Sequence, residues 1–525
     1  MLSLWEVLKT SKGLPAPDGF TALFARSLSD TYTLAEISGI PPLNLGEIVE
    51  IADYTIEGNT YQSDGVSSDT PQEVVGCGDR TGNLLKLKDD YVANVRGVSV
   101  SIKNGTLTLK GIATGNGGRS TYLSESFMLQ AGTYTLSSVE VPGLNYCLTN
   151  TADGSVIIAP KTATTFTLSE DTTVAFGVNV VQDTVYDTTV NIMLNSGSTP
   201  LPYEPYGYKV DVVTRGKNLI PYPYYNSNQT INGVTFTTEN DGRIMANGAA
   251  TGVVNFYLMR DQMLKAGTYT LSVIRNAPLA NINLQMFDSS KGITFDGLIT
   301  TIGGSTSESV AKTFTLNEDT NVHLLYAKSG LTETYIDEYV QLELGTEATS
   351  YEPYTPPITT PLYLDSPLYK IGDYTDRRGK TEEVRRIGIV DLGTLTYTKS
   401  STSGNFTSVE VLPNARKISN TDTGNAICSA FKEVQANQVT DIPYSFSSTL
   451  NSSSIVYING TGFEDMTAED FKTAMNGVYV YYVLAEPEVT SVEPVEIPTL
   501  DGTTVIDVDT EVKPSNLKIT YKSKM

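Results

Sequence analysis

Histidine is all but missing from this 525-residue chain. His323 stands alone. Ser-His-Asp and Cys-His catalysis need an imidazole set between a nucleophile and an orienting group, so both are excluded as general schemes. Zinc sites built on histidine go with them. Cysteine is almost as scarce. Cys77, Cys147 and Cys428 are far apart and odd in number, which makes neither a disulfide framework nor a CxxC ligand set. They read as ordinary thiols. Charged residues are 18% of the chain, yet acids outnumber bases 59 to 36, for a formal charge of −23. Such a surface repels phosphate backbones and speaks against nucleic-acid binding. A neutral sugar or a protein partner suits it better. No apolar run reaches the length of a membrane span, and the opening MLSLWEVLKTSKGLPAPDGF holds no apolar core of signal-peptide length. The expectation is a chain made in the cytoplasm without Sec export and without membrane insertion. No P-loop or dinucleotide fingerprint is present, nor a ligand-spaced string of acids for calcium, so no cofactor and no metal are expected.

What is present is said twice. LQAGTYTLSS at Leu129 returns as LKAGTYTLSV at Leu264, about 135 residues later. GNLLKL at Gly82 pairs with KNLIPY at Lys217, TFTLSEDTTV at Thr165 with TFTLNEDTNV at Thr313, and LPYEPYGY at Leu201 with SYEPYTPP at Ser350. The later matches are offset by about 148, so the second copy carries roughly 13 extra residues after its AGTYTL stretch. Preserved order with a local insertion is how a duplicated domain looks.

Each copy has the patterning of β structure. VSVSIKNGTLTLKGIA alternates on both sides of Asn104-Gly105, a strong hairpin signal, and Asp241-Gly242 holds the turn in the second copy. Tyr134 and Leu136 point to one face of their strand, as do Tyr269 and Leu271. Glu170-Asp171 and Glu318-Asp319 recur where a strand turns. Short strands without helical periodicity argue a β-sandwich or jelly roll of about 130 residues per copy. The Tyr-Glu-Pro-Tyr segments (203–206 and 351–354) cannot extend a ladder through their prolines and should leave the sandwiches as extended linkers.

The flanks differ. Leu4, Trp5 and Leu8 sit at helical spacing, and residues 21–27 add another apolar turn or two. This segment is either a small core anchor or a peptide that docks on another protein. Near the other end, Thr467-Ala-Glu-Asp470 has the spacing of a capping box and should open a short helix with Phe471 and Met475 on one face. VYVYYVLAEP from Val478 reads as a strong strand, and two more strands flank Pro514. The mixed charges at Arg377, Arg378, Lys380, Arg385 and Arg386 read as a solvated surface. The predicted fold is mainly β. Tandem jelly-roll β-sandwiches (83–208 and 217–357) follow a partly helical attachment region (1–82). A connector (358–395) then leads to a β-rich C-terminal domain with one short helix (396–525).

Paired carboxylates are the enzymatic option left, since glycosidases need only two acids. The recurring acids read as turn residues instead, and no catalytic set emerges. Tyrosine is the better lead, at 31 residues. Tyr222, Tyr224, Tyr225 and Asn226, in IPYPYYNSN, are the candidate carbohydrate-binding residues, because a tyrosine stacks on a sugar face while its hydroxyl keeps a hydrogen bond. The alternative is that they cover the end of the sandwich or meet a neighbouring subunit. The stretch from Asp288 to Ser309, lengthened by the insertion, is a second place where specificity would differ between the copies.

DYTIEGNTYQSDGVSSDTPQEVVGCGDRTGNLL (Asp53 to Leu85), KNLIPYPYYNSNQTINGVTFT, QLELGTEATSYEPY and PLYLDSPLYKIGDYTD resemble text common in tail proteins of phages and prophages of Firmicutes, and SLWEVL and ALFARSL resemble their start. The sequence departs from the family's usual aspartate- and proline-rich text at Asp64 to Gln72. The resemblance implies a virion protein of the tail tip, baseplate or fibre with carbohydrate-binding-module-like sandwiches. It also implies attachment to other tail proteins through the N-terminal region, a host cell-surface glycan as target, and a homo-oligomer, with a trimer favoured. No catalytic residues come with it. A purely structural spacer is the other function to weigh.

Overall fold

The AGTYTL stretches are central strands in both copies. Gly132–Ser137 lies between Thr164–Leu168 and Met193–Ser196, and Gly267–Arg275 between Val310–Leu316 and Glu333–Leu344. Leu136 and Leu271 are fully buried. The computed structural model describes residues 31–36, 43–44, 49–62, 73–276, 282–303, 310–328, 333–417, 419–449, 453–500 and 502–523. The helical readings around Trp5 and at 21–27 lie outside them.

The second copy is a six-stranded sheet over a four-stranded one. The larger runs Gln229–Ile231, Val234–Thr238, Ile244–Ala249, Glu333–Leu344, Gly267–Arg275, Val310–Leu316, and the smaller Val254–Leu264, Thr320–Lys328, Asn283–Asp288, Leu298–Ile302. The first copy repeats this order: Tyr91–Val95, Val98–Lys103, Thr106–Ile112, Val185–Val190, then Met193–Ser196, Gly132–Ser137, Thr164–Leu168. Its smaller sheet is Phe127–Leu129, Thr172–Asn179, Asn145–Asn150, Val156–Ile158. One long strand, Glu333–Leu344, thus replaces two shorter ones. The first-copy ladder breaks at Asn191 and Ile192, whose carbonyls accept from Ser138 Oγ and Asn83 Nδ2.

Local chemistry accounts for the hairpins. Asn104 and Gly105 both have positive φ (50° and 71°) between the paired Lys103 and Thr106. That is the conformation a two-residue turn needs to match strand twist. Arg96-Gly97 and Asn232-Gly233 make equivalent turns one hairpin earlier. Alternation then sends Val98, Val100 and Ile102 inward, and Leu107 and Leu109 opposite them. In the second core Phe236 stacks on Phe256 with centroids 4.1 Å apart. Each such buried side chain contributes roughly 1.5–3 kcal/mol of transfer free energy.

The segments between the copies are not free linkers. Tyr208–Arg215, which joins them, is an interior strand flanked by Ile358–Leu364 and Thr503–Asp509, with Asp79–Arg80 pairing at its start. Pro361 is tolerated because its strand is on the edge. A seven-stranded sheet, Thr31–Glu36, Asn516–Ser523, Val49–Glu57, Arg377–Gly379, Glu382–Asp391, Tyr479–Ser491, Ala426–Cys428, shares a core with it: Tyr54, Ile56, Val210, Val212, Leu362, Ile506 and Ile519 are buried together. Stretches 49–62, 73–80, 208–215, 358–391, 479–500 and 502–523 therefore build one two-sheet unit, and each sandwich leaves and re-enters it. The stretch expected as a connector, 358–395, supplies strands to both sheets. Of its arginines, Arg377 is solvated as expected, but two others are not. Arg378 is buried with Nη1 donating to the Gly379 carbonyl, and Arg385 donates to the carbonyls of Ser366 and Pro367 at 2.6 and 2.5 Å.

Residues 392–478 fold between the paired strands Glu382–Asp391 and Tyr479–Ser491. The helix Ala468–Ala474 starts with the expected reciprocal cap, the Asp470 N–H donating to Thr467 Oγ1 and the Thr467 N–H to Asp470 Oδ2. Phe471 and Met475 are buried, and Phe471 stacks on Phe406 at 3.8 Å.

Candidate functional site

The tyrosine stretch from Tyr222 to Asn226 divides between two surroundings. Tyr224 is 5% exposed, part of the core, and its hydroxyl donates to the Gly242 carbonyl at 2.6 Å. Tyr222 packs edge-on against it at 5.3 Å and points its hydroxyl toward Asn240. Tyr351 donates to the Asp241 carbonyl at 2.6 Å, and Tyr339 to Asp241 Oδ2 at 2.9 Å. Four tyrosines thus converge on the Asn240-Asp241-Gly242 turn, and three of them, Tyr222, Tyr224 and Tyr351, line a cleft with Asn218 and Tyr354. Burial pushes the Tyr224 and Tyr351 hydroxyls well up, so they stay protonated donors. Their hydroxyls are committed to the turn. The first copy has a weaker version, with Tyr203 reaching the Gly105 carbonyl at 3.5 Å.

Tyr225 points the other way. It is 56% exposed, while its N–H donates to the Leu258 carbonyl and Asn226 Oδ1 accepts from the Tyr257 N–H at 2.7 Å. Asn226 therefore splices this segment to the strand Val254–Leu264. That strand shifts register on either side of Met259, leaving Arg260 and Asp261 without rungs and Asp261 at φ 53°. The bulge turns both outward. Arg260 Nη1 donates to Tyr225 Oη at 3.0 Å, and its guanidinium lies 5.2 Å from the Tyr225 ring centroid and 5.4 Å from that of Tyr257. Tyr257 in turn meets His323 edge-on at 5.6 Å. His323 Nδ1 accepts the Asp261 N–H at 3.2 Å, which leaves Nε2 to carry the proton of the neutral ring.

The same place in the first copy is built differently. The Lys88 N–H donates to the Leu123 carbonyl as Tyr225 does to Leu258, and Glu125 occupies the position of Arg260. An ion pair, Lys88 Nζ to Glu125 Oε1 at 3.5 Å, stands where the second copy has tyrosine and arginine. Ala175 replaces His323. Each aromatic of residues 83–208 is buried or half-buried. Sequence reading found Tyr225 but missed Arg260 and Tyr257, because their proximity depends on the splice and the bulge. Comparing the copies position by position at Tyr-Leu-Ser-Glu and Tyr-Leu-Met-Arg carries the signal.

The inserted stretch brings a second exposed aromatic. Asp288 caps a single 3-10 turn, Ser289–Lys291, and the following loop is closed by the Asp288 N–H to Gly297 carbonyl and Leu298 N–H to Phe295 carbonyl bonds. At the tip of this tied loop Phe295 is 91% exposed. Asp288 pairs with Val322, the neighbour of His323, so the loop leaves the sheet one rung from the Tyr225 surface.

The aspartates of the recurring pairs tie their turns to the start of the AGTYTL strands and not to amides of their own turns. Asp171 Oδ1 accepts the Ala131 N–H and Asp319 Oδ1 the Ala266 N–H, each at 2.8 Å. All three cysteines are buried and free, and burial raises their thiols, Cys77 and Cys428 to about 12 and Cys147 to about 11. Among the described residues no group of three His, Cys, Asp or Glu converges as a metal site, and no helix is long and apolar enough to cross a membrane.

No protein-family model and no curated protein matches the chain. Among solved structures, similarity is found to procruciferin, an 11S globulin from Brassica napus, at 9% identity over 51% of this chain and 88% of that one, TM-score 0.12. The infectious bursal disease virus Gt strain structure matches at 10% identity over 93% of this chain and 83% of that one, TM-score 0.14. Scores this low carry no argument about function.

Proposed function

We propose that this chain is a structural protein of a phage tail, in its tip, baseplate or fibre, that works by binding and presents the second sandwich to host cell-surface carbohydrate. The observation that carries the reading is the contrast between the copies. Two sandwiches share one strand order and the same anchoring residues, yet aromatic side chains are exposed on one surface of the second and not on the matching surface of the first. A surface that differs between two copies sharing one strand order is where a ligand contact can be gained. The tail-protein text in the sequence supports the setting. The N-terminal region would attach to other tail proteins, and several copies, three in the favoured arrangement, would raise a weak single-site affinity through avidity.

The test is adsorption. Purified chain is mixed with cell envelopes from a panel of Firmicutes strains, before and after periodate has cleaved the vicinal diols of their glycans. Binding that periodate removes supports the reading. Failure to bind any envelope would favour the second reading, a spacer that sets length while another protein touches the host. The Lys88–Glu125 surface of the first copy already fits that passive role.

A further inference from the structure

Resting on that reading, we infer that the surface made by Tyr225, Tyr257, Arg260, Asp261 and His323, with Phe295 on the adjoining loop, is a binding site for a neutral pyranose. The site belongs to the second copy alone. The cleft at Tyr222 and Tyr224 is a different place, its hydroxyls already spent on the Asn240–Gly242 turn. At the Tyr225 surface the polar groups are arranged for a ligand instead. Arg260 is pinned by one N–H to Tyr225 Oη and by its position over two rings, with its side chain 46% exposed. Beside it Asp261, held at positive φ with its side chain 65% exposed, offers a carboxylate. Side by side, the guanidinium donates to one sugar hydroxyl and the carboxylate accepts from its neighbour through charge-assisted hydrogen bonds. Tyr225 gives an exposed ring on which the C–H face of a pyranose stacks, and Phe295 a second.

Charge selects the class. Arg260 Nε lies 3.9 Å from Asp261 Oδ2, so the pair is close to neutral as a unit. The chain around it carries −23. An anionic sugar or a phosphate polymer would meet repulsion from that charge, with the Arg260 guanidinium already offset by Asp261, whereas a neutral ring meets none. The first copy, with Lys88 and Glu125 engaged on each other and no exposed ring, has nothing to stack.

The experiment exchanges one copy's surface for the other's. Tyr225→Lys combined with Arg260→Glu writes the first copy's residues into the second, at exposed positions that the same scaffold already tolerates. Saturation-transfer NMR on the full chain would use methyl glucoside, methyl galactoside and methyl rhamnoside as neutral probes, with glucuronate and glycerol phosphate as anionic ones. Transfer to at least one neutral probe is expected, weakened about tenfold or more in the double variant and measurably in Phe295→Ala. An unchanged circular dichroism spectrum would show that the fold is kept. Equal binding by wild type and both variants would overturn this site while leaving the carbohydrate reading standing. Transfer to glucuronate or glycerol phosphate alone would overturn the neutral class. Silence from every probe, with no periodate-sensitive envelope binding, would overturn the proposed function along with the site.

Discussion

The Glu352 carboxylate accepts both the backbone N–H and the hydroxyl of Thr503, at 2.9 and 2.7 Å, tying the end of the second sandwich to a strand 151 residues further on. Lys217 Nζ lies 2.9 Å from the same carboxylate, at the sandwich's other end. Glu204 does the matching work in the first copy, accepting the Gly82 N–H at 2.9 Å and Lys209 Nζ at 2.9 Å. Asn83 and Asn218 complete the anchors by donating to the Glu204 and Glu352 carbonyls. The repeated Asn-Leu and Tyr-Glu-Pro-Tyr stretches are thus the two halves of one clasp, used twice.

That clasp has a pH signature. Burial alone would raise the Glu352 carboxyl, but Lys217 and Thr503 outweigh it and hold the folded value below the ordinary one. A depressed carboxyl stabilises above its unfolded value, near 4.3, and loses that contribution as pH falls through the folded value. Glu352→Gln should therefore lower the melting temperature most at neutral pH, and the gap to wild type should close as the pH falls below about 4. A gap of constant size from neutral to acid, followed by differential scanning fluorimetry, would remove the carboxylate from the clasp.

A second ionic group is wholly internal. Arg275 Nε and Glu338 Oε2 lie 3.0 Å apart with both side chains 2% exposed, and Tyr326 donates to Glu338 Oε1 at 2.5 Å. At the positions of Glu338 and Tyr326 the first copy has Val190 and Val178, so the sandwich does not need a polar core there. The group instead reaches out, Arg275 donating to the Gly303 carbonyl at 3.1 Å. Glu338→Ala removes the carboxylate that offsets a buried guanidinium and should cost about 3–5 kcal/mol. Tyr326→Phe, which removes one donor, should cost about 1–3 kcal/mol. Urea unfolding measures both, and a reversed ranking would contradict the assignment of Glu338 as the centre.

How much of this could be read beforehand depends on distance along the chain. Asn104-Gly105, the alternating strands, the Thr467–Asp470 cap and the central AGTYTL strands were legible because each is decided by neighbours a few residues away. The two-sheet unit was not. Asp79–Arg80, Tyr208–Arg215, Ile358–Leu364 and Thr503–Asp509 pair only after whole sandwiches have intervened, and such pairing leaves no local trace. The prolines of Tyr-Glu-Pro-Tyr correctly ended the ladders, but the role of the glutamate between them appears only with Thr503 and Gly82 in place. The tyrosine stretch marked the right neighbourhood for an exposed ring. The bonds of Tyr225 and Asn226 to the strand Val254–Leu264 separate its members, Tyr224 inward and Tyr225 outward, and Arg260 joins from that strand.

Two matching strand glycines with positive φ allow an internal comparison. Gly111 and Gly248 both have positive φ, 127° and 140°. A Cβ on Gly248 would sit 2.1 Å from the Gly233 carbonyl oxygen, and one on Gly111 3.0 Å from that of Gly97. Both alanine variants carry backbone strain of about 1–3 kcal/mol. Gly248→Ala must also move a neighbouring strand and should be the more destabilised. Matching chemical-denaturation midpoints would show that the two sites relax equally.

The C-terminal insertion yields the last prediction. Phe471 is fully buried, stacked on Phe406 at 3.8 Å and edge-on to Tyr397 and Phe463 at 5.0 and 5.2 Å. It is the meeting point of a core drawn from residues 392–484, and that core shares no residue with the cores of the two sandwiches. Phe471→Ala should cost about 3–5 kcal/mol, with the loss confined to this core. Hydrogen exchange would then show faster opening across 392–478, while amides of Gly132–Ser137 and Gly267–Arg275 keep their protection. The strand Tyr479–Ser491 is the informative one, because it pairs with Ala426–Cys428 on one side and Glu382–Asp391 on the other. If its amides open together with 392–478, the insertion and the two-sheet unit unfold as one. If they hold, the insertion is a separate cooperative unit carried on that strand, as the division of the cores implies.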